Sequence, residues 1–469
     1  MTRKTIRLLA STGALVLLAG GLLAVRAADD KKKAEAATDV PKALPKLAAF
    51  DAADLRTIEI TNANGGVTLT SADGDTWLVD GAGPYFKVDQ SLAQATAKAL
   101  ANIQPSEEIA DAPDDPGAFG LDPPAAGMRI TSSDGTTVRL EVGASNPAGS
   151  GRYARLAGDT KVYLVPLWQT SKALSTPDDY RDKSLPAPDA KSIVSFELKT
   201  ADKRIVAVPH AKDDPYEVLS PTMDITVPWK GRYAVSYKFD ELLQNNPPPT
   251  LIMGFMDGHP ADDPSLGLGP DADRLTLTDD KGITLDLVLG DAAPDGNRYA
   301  ALAGQEGPPF TVSASALGLL DAVNAVDITE KALFLPGLDK IRSAVVDYPG
   351  GRLDLQIERR GDPDSKDDDL YTVNGQSVPR SDFSDGYQKL IGLRWDSPIP
   401  KAVSLGQTEV RIRYTHVDDG VAPVDVRFWP YDRDFYVAAV AGQPAEFLIT
   451  REKVNDMITA LEALSHYGS

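Results

Sequence analysis

Two periods of hydrophobic position alternate along this chain. Ile58-Glu59-Ile60 and Val67-Thr68-Leu69-Thr70 alternate apolar and polar residues, as strands with one wet face do. Met128-Arg129-Ile130 and Arg411-Ile412-Arg413-Tyr414 do the same. Between such runs lie segments with apolar or small residues at i, i+4, i+7 and i+8. They are Leu92, Thr96, Ala99 and Leu100; then Val235, Phe239, Leu242 and Leu243; then Phe383, Tyr387, Leu390 and Ile391. Each set falls on one helical face and predicts an amphipathic helix. Asp89 and Asp382 stand where N-caps belong, and Thr450 is expected to cap a last helix with Val454, Met457, Ile458 and Leu461 on one stripe. Strands outnumber helices and hairpin-length turns connect them. The expected class is therefore α+β with mainly antiparallel sheet.

The pattern repeats. Tyr153-Ala154-Arg155-Leu156-Ala157-Gly158 returns as Tyr299-Ala300-Ala301-Leu302-Ala303-Gly304, and again, one residue longer, from Tyr436 to Gly442. Upstream, Val138-Arg139-Leu140-Glu141-Val142-Gly143 parallels Leu285-Asp286-Leu287-Val288-Leu289-Gly290, with Val424-Asp425-Val426-Arg427-Phe428 in the third place. Gly120-Leu121-Asp122-Pro123 corresponds to Gly267-Leu268-Gly269-Pro270, and only Leu405-Gly406 survives in the third copy. Asp182-Lys183-Ser184-Leu185 parallels Glu330-Lys331-Ala332-Leu333. Trp77-Leu78-Val79-Asp80-Gly81 parallels Tyr371-Thr372-Val373-Asn374-Gly375, with Tyr216-Glu217-Val218 between them. The unit is about 140 residues, an ordinary domain size. Three tandem copies of a mainly antiparallel sheet domain with one or two packed helices are expected, at residues 50–189, 190–336 and 337–469, the last divergent.

The N-terminus has a different pattern. Arg3, Lys4 and Arg7 precede an apolar run over residues 8–25. At about 1.5 Å per residue, this run just crosses a hydrocarbon core of about 30 Å. It predicts a single-pass anchor within residues 1–28, with the N-terminus cytoplasmic. The alternative is a cleavable signal peptide, for which Val25-Arg26-Ala27 is a loose cleavage site. Either exports the remainder, and residues 29–49 read as a flexible tether. The expected location is a bacterial inner membrane with the bulk of the chain in the periplasm.

Composition narrows the partners. The 469 residues are 42% hydrophobic and 25% charged, which suits folded domains. A net charge of -20 argues against nucleic acid, which needs a concentrated basic surface. The chain has no cysteine, which excludes disulfides, thiolate catalysis and cysteine-ligated metals.

No cluster of residues announces a reaction, so no catalytic residue, cofactor or metal is expected. The histidines at 210, 259, 416 and 466 are far apart, lack ligand spacing, and read as solvated. The run from Asp362 to Asp369 invites calcium but puts Lys366 at a ligand position; a hairpin loop is expected instead. Asp114, Asp115 and Asp122 read as turn residues rather than a glycosidase pair. Trp77, Tyr85, Phe86, Trp168 and Trp229, with Tyr431 and Phe435, are the candidates for a partner- or ligand-binding face; core packing is their competing role.

The ordered series Trp77-x-Val79, helix, Gly120-Leu121-Asp122-Pro123-Pro124, strand ending in Gly143, Arg152-Tyr153-Ala154 and Arg181-Asp182-Lys183-Ser184-Leu185 resembles the bacterial domain-of-unknown-function family numbered 4340. The resemblance is best over residues 76–185, fair over 191–334 and weak over 338–467. It implies a membrane-anchored envelope protein, similar in part to auxiliary subunits of gliding-motility-type ABC transporters, with an ABC permease and ATPase as partners. No Gly-x-x-x-x-Gly-Lys-Ser/Thr loop occurs, so the chain is not itself the ATPase. The expected function is a non-catalytic envelope scaffold or auxiliary subunit. The alternatives are a glycan- or small-ligand-binding module and a hydrolase with converging carboxylates.

Overall fold

The computed structural model describes residues 44–210, 221–360, 369–401, 403–440 and 442–467. The expected anchor over 8–25, most of the tether, Tyr216 to Val218, and the Asp362 to Asp368 run lie outside the described residues. Among the described residues, no helix is long and apolar enough to cross a membrane. The chain divides into two compact units, between Asp182 and Lys183.

The first unit holds β1 (Leu55–Asn62), β2 (Val67–Ser71), β3 (Trp77–Val79), α1 (Gln90–Ala101), β4 (Glu107–Ala110), β5 (Ala126–Ser132), β6 (Thr137–Ser145), β7 (Gly151–Leu156) and β8 (Val162–Pro166). Its eight-stranded sheet runs β3-β2-β1-β5-β6-β7-β8-β4. Two meanders thus join at β1 and β5, and the strand after the helix closes the far edge. Ile58, Ile60, Leu69, Met128, Ile130, Leu140 and Val142 point to one face, where Ala93, Ala97 and Leu100 of α1 cover them. Asp89 caps this helix by accepting from the Leu92 N–H at 3.0 Å.

The second unit repeats this order twice. One set is β9 (Ile193–Lys199), β10 (Arg204–Pro209), β11 (Met223–Val227), β12 (Tyr233–Ala234), α2 (Lys238–Asn245), β13 (Gly254–Phe255), β14 (Asp273–Asp279), β15 (Thr284–Ala292), β16 (Arg298–Leu302) and β17 (Phe310–Val312). The other is β18 (Ile341–Tyr348), β19 (Gly351–Glu358), β20 (Leu370–Val373), β21 (Gln376–Ser377), α3 (Arg380–Ile391), β22 (Ser397–Pro398), β23 (Val410–His416), β24 (Val424–Pro430), β25 (Phe435–Val440), β26 (Phe447–Thr450) and α4 (Arg451–Ser465). Their nine-stranded sheets run β12-β11-β10-β9-β14-β15-β16-β17-β13 and β21-β20-β19-β18-β23-β24-β25-β26-β22. Every pairing is antiparallel, as the alternation implies.

Two helix details differ from the sequence expectation. Val235 lies ahead of α2, bridged to Thr329, because the backbone there is held in a strand pair. Pro379, not Asp382, precedes α3; its ring holds φ at -55°, a value a helix can continue from, so the helix starts at Arg380 and Asp382 falls in the first turn. In α4, Val454, Met457, Ile458 and Leu461 are buried as expected.

The repeated segment after each sheet has one backbone role. In the first unit, Asp89 N–H donates to Tyr180 O and Asp182 N–H to Lys87 O, both at 2.8 Å. In the second unit, Ser236 N–H donates to Ile328 O and Glu330 N–H to Ala234 O, at 2.7 and 2.8 Å. Lys183 to Leu185 pair with Thr250 to Ile252, just after α2, and Lys331 to Leu333 pair with Leu393 to Trp395, just after α3. Each such segment therefore finishes one helix entry and lays down the strand beside the next helix exit.

Candidate functional site

The family-like signature is built into a loop clamp. Asp115 accepts from the Gly117 N–H and starts a 3-10 turn that ends at Gly120, whose φ of 67° suits glycine. This loop lies on Gly143 of β6: a Cβ there would meet Phe119 O at 2.2 Å. The strand bulges after Val142 to admit it. Arg152 donates from Nη1 to Gly143 O at 3.0 Å, and Phe119 packs edge-on to Tyr153 with centroids 5.0 Å apart. The second copy repeats the glycine and arginine contacts, with Leu266 in place of Phe119. Asp263 caps the turn ending at Gly267, a Cβ on Gly290 would meet Leu266 O at 2.1 Å, and Arg298 Nε donates to Gly290 O at 2.7 Å. The glycines and the Arg-Tyr-Ala motif are consumed in this packing. The Asp-Pro pair ahead of each turn, Asp115-Pro116 and Asp263-Pro264, was the missing sequence signal for it.

The third copy departs here. Register puts Trp429 at the Gly143 position and Tyr436 at the Arg152 position, and β24 runs without a bulge. Tyr436 OH instead donates to Glu409 at 2.7 Å, and Arg451 donates to the same carboxylate at 3.0 Å.

Beside the clamp, a groove opens where β5 enters along the end of β1. Its volume is about 720 Å³, and its lining includes Thr61, Asn62, Pro123, Pro124, Arg129 and Arg139. The equivalent place in the third sheet is a groove of about 690 Å³, lined by Asp347, Tyr348, Gln407, Thr408, Glu409 and Arg411. In the second sheet, Lys199 Nζ reaches across this position to Pro270 O at 3.2 Å.

The solvent face of each sheet at this groove carries charges. In the first, Arg129 lies opposite both Glu59 and Arg139, and ion-pairs with Glu59 at 3.4 Å. In the second, Arg274 pairs with Asp286 at 2.6 Å. In the third, Asp425 accepts from Arg411, Arg413 and Arg427 at 2.7, 3.0 and 3.1 Å. Burial pushes the Asp425 carboxyl up, but the bonds from Arg411 and Arg427 outweigh it and leave the group below the usual carboxylate range.

Four of the five candidate aromatics lie in the first unit and Trp229 in the second. Trp77 is fully buried in the first core, so its ring cannot meet a partner; the strand period turns it inward. Phe86 is half-buried under the Arg181 guanidinium, 5.2 Å from the ring centroid. Tyr85 and Trp168 are exposed, at 52% and 62%. Trp229 belongs to a junction between the second and third sheets. There it meets Phe447 edge-on at 5.1 Å, Trp395 stacks on Phe447 at 4.2 Å, and Trp229 Nε1 donates to Thr329 at 2.9 Å. Glu446 accepts from the Lys230 and Gly231 N–H groups at 2.8 and 2.9 Å, and from Tyr233 OH at 3.1 Å. Burial, reinforced by Glu446, pushes the Tyr233 phenol up, so it stays a donor.

Two histidines are not solvated as their sequence context suggests. His416 is buried at 2% exposure because β23 turns it inward, and that burial pushes its pKa down. His210 is half-buried against Asp224, with Nδ1 at 2.7 Å from the carboxylate. Among the described residues, no group of three or more His, Cys, Asp or Glu is placed to hold a metal.

Residues 77–245 match the family described as Domain of unknown function (DUF4340). The DUF4340 match runs from the first residue of β3 to the last of α2, so it contains the whole first clamp and the opening strands of the second sheet. No curated protein and no solved structure matches the chain.

Proposed function

We propose that this protein is a non-catalytic scaffold or auxiliary subunit of the cell envelope. Residues 8–25 anchor it in the inner membrane, and its sheet domains present protein-binding surface in the periplasm to an ABC-transporter-like complex. The observation that carries this reading is the junction of the second and third sheets. A carboxylate, two backbone amides, a phenol and three stacked or edge-on rings are spent on coupling two domains rather than on lining a pocket. Tandem domains joined this way hold several contact surfaces at defined spacing, which favours multivalent binding. The signature residues serve the loop clamp, which leaves them no chemistry to perform. The transporter partner rests on family resemblance.

A mild-detergent pull-down of the tagged full-length protein from its native membrane, read by mass spectrometry, tests this. Reproducible recovery of a permease and an ATPase, lost when residues 337–469 are deleted but the anchor is kept, is the expected result. Recovery of the bait alone, in several detergents and after crosslinking, would overturn it.

A further inference from the structure

The solvent face of the third sheet is charged in a way that packing alone does not require. Arg411 of β23 and Arg427 of β24 lie directly opposite each other, a like-charge pairing that weakens a sheet. Arg413 lies opposite Asp425, which draws all three guanidiniums together. The side chain of Asp425 is 7% exposed, while those of Arg411, Arg413 and Arg427 are 32%, 49% and 42% exposed. One buried carboxylate thus orients three cations that face solvent.

Their donors are not used up. Asp425 takes Nε and Nη2 of Arg411, Nε of Arg413 and Nη2 of Arg427. Among the described residues, Nη1 of Arg411, both Nη groups of Arg413, and Nε and Nη1 of Arg427 make no hydrogen bond. Of the acids that line the adjoining groove, Glu409 is held by Arg451 at 3.0 Å, while Asp347 lies opposite both Arg352, 3.8 Å away, and Arg411. The second sheet, at the same positions, has Arg274 opposite Val288 and neutralised by Asp286.

We propose that the cluster of Arg411, Arg413 and Arg427 on the solvent face of the third sheet, with Arg411 at the rim of the groove, binds an oxyanion, a phosphate or a carboxylate. Guanidinium forks suit both groups, and pre-orientation by Asp425 lowers the cost of holding them. On a chain of net charge -20, such a patch draws an anionic ligand against the general field. The inference stands whether or not the chain joins a transporter.

Isothermal titration of the full-length protein with inorganic phosphate, and separately with a trigalacturonate as a carboxylate probe, tests it. Binding of at least one probe is expected, weakening as salt rises. Arg427→Gln gives up a single hydrogen bond to Asp425 and should weaken that binding by about tenfold or more, the value of one charge-assisted bond. Arg139→Gln in the first sheet should leave it unchanged. Phosphate alone binding points to a phosphorylated ligand, and trigalacturonate alone to an acidic polymer. Binding of neither probe, or binding that Arg427→Gln leaves intact, would overturn the site.

Discussion

After the buried Val142 of the first sheet comes Gly143; after the buried Phe428 of the third, at the same step, comes Trp429. In the first case the bare backbone accepts a loop from above, the strand bulges, and Arg152 crosses over to bond the glycine carbonyl. In the third the strand stays regular, and a Cβ on Gly406 would meet nothing within 4 Å. The position of Arg152 is taken by Tyr436, which turns to Glu409 and Arg451. One topology therefore carries two different surfaces at this strand. A clamped loop ties the first to a glycine, whereas the third is free of that demand and carries arginines.

The largest test of that contrast is Gly143→Ala, or Gly290→Ala in the second sheet. The new Cβ would fall on a backbone oxygen at 2.2 or 2.1 Å, so the loop must lift. A loss of about 2–3 kcal/mol is expected, the upper part of the overpacking range, read by chemical denaturation of the full-length protein. Gly406→Ala, with open space around it, should change stability by less than about 0.5 kcal/mol. Equal costs at the two sites would break the comparison.

A smaller effect is expected for Arg152→Ala. It removes the donor to Gly143 O and should cost about 1 kcal/mol in the same assay, with Arg152→Lys recovering part of it. Tyr436→Phe loses its hydroxyl's bond to Glu409 and should leave the first unit's unfolding transition unmoved.

The smallest expected effect is on pH dependence. All four histidines lie beyond Asp182, in the second unit. Burial lowers the His416 pKa, so the unfolded chain binds its proton at a higher pH than the folded chain does. Stability from this group is whole above the unfolded value of about 6.5 and falls as pH drops below it, with a slope below the one-proton ceiling of about 1.4 kcal/mol per pH unit. Calorimetry should show the second unit's transition moving down between neutral and mildly acidic pH while the first unit's holds. His416→Phe should flatten the second unit's response in part.

Much of the fold was legible because it is local. Ile58, Ile60, Met128 and Ile130 declare their strands by alternation, and Phe383, Tyr387 and Leu390 declare a helix by spacing; all are buried where that spacing puts them. Asp89 was readable as a cap because capping is decided within one turn. Val235 was not readable as strand, because its extended backbone depends on Thr329, nearly a hundred residues on. The burial of His416 likewise depends on which face of β23 the third core takes. The glycines of the clamp were visible as repeats, but their reason was not, since the contact joins a loop to a strand across a bulge.

The sequence by itself determined the strand and helix periods, the recurrence of the unit and the acidic balance, because each is set by residues within a few positions of one another or by composition. Tertiary structure alone decided that Trp77 is core and Trp229 is junction, that Glu446 meets the amides of Lys230 and Gly231, and that one aspartate gathers three arginines. Those outcomes depend on strand register and sheet order, which pair residues far apart in the chain. A shift of one residue in register would turn Trp77, Asp425 and the three arginines to the opposite face.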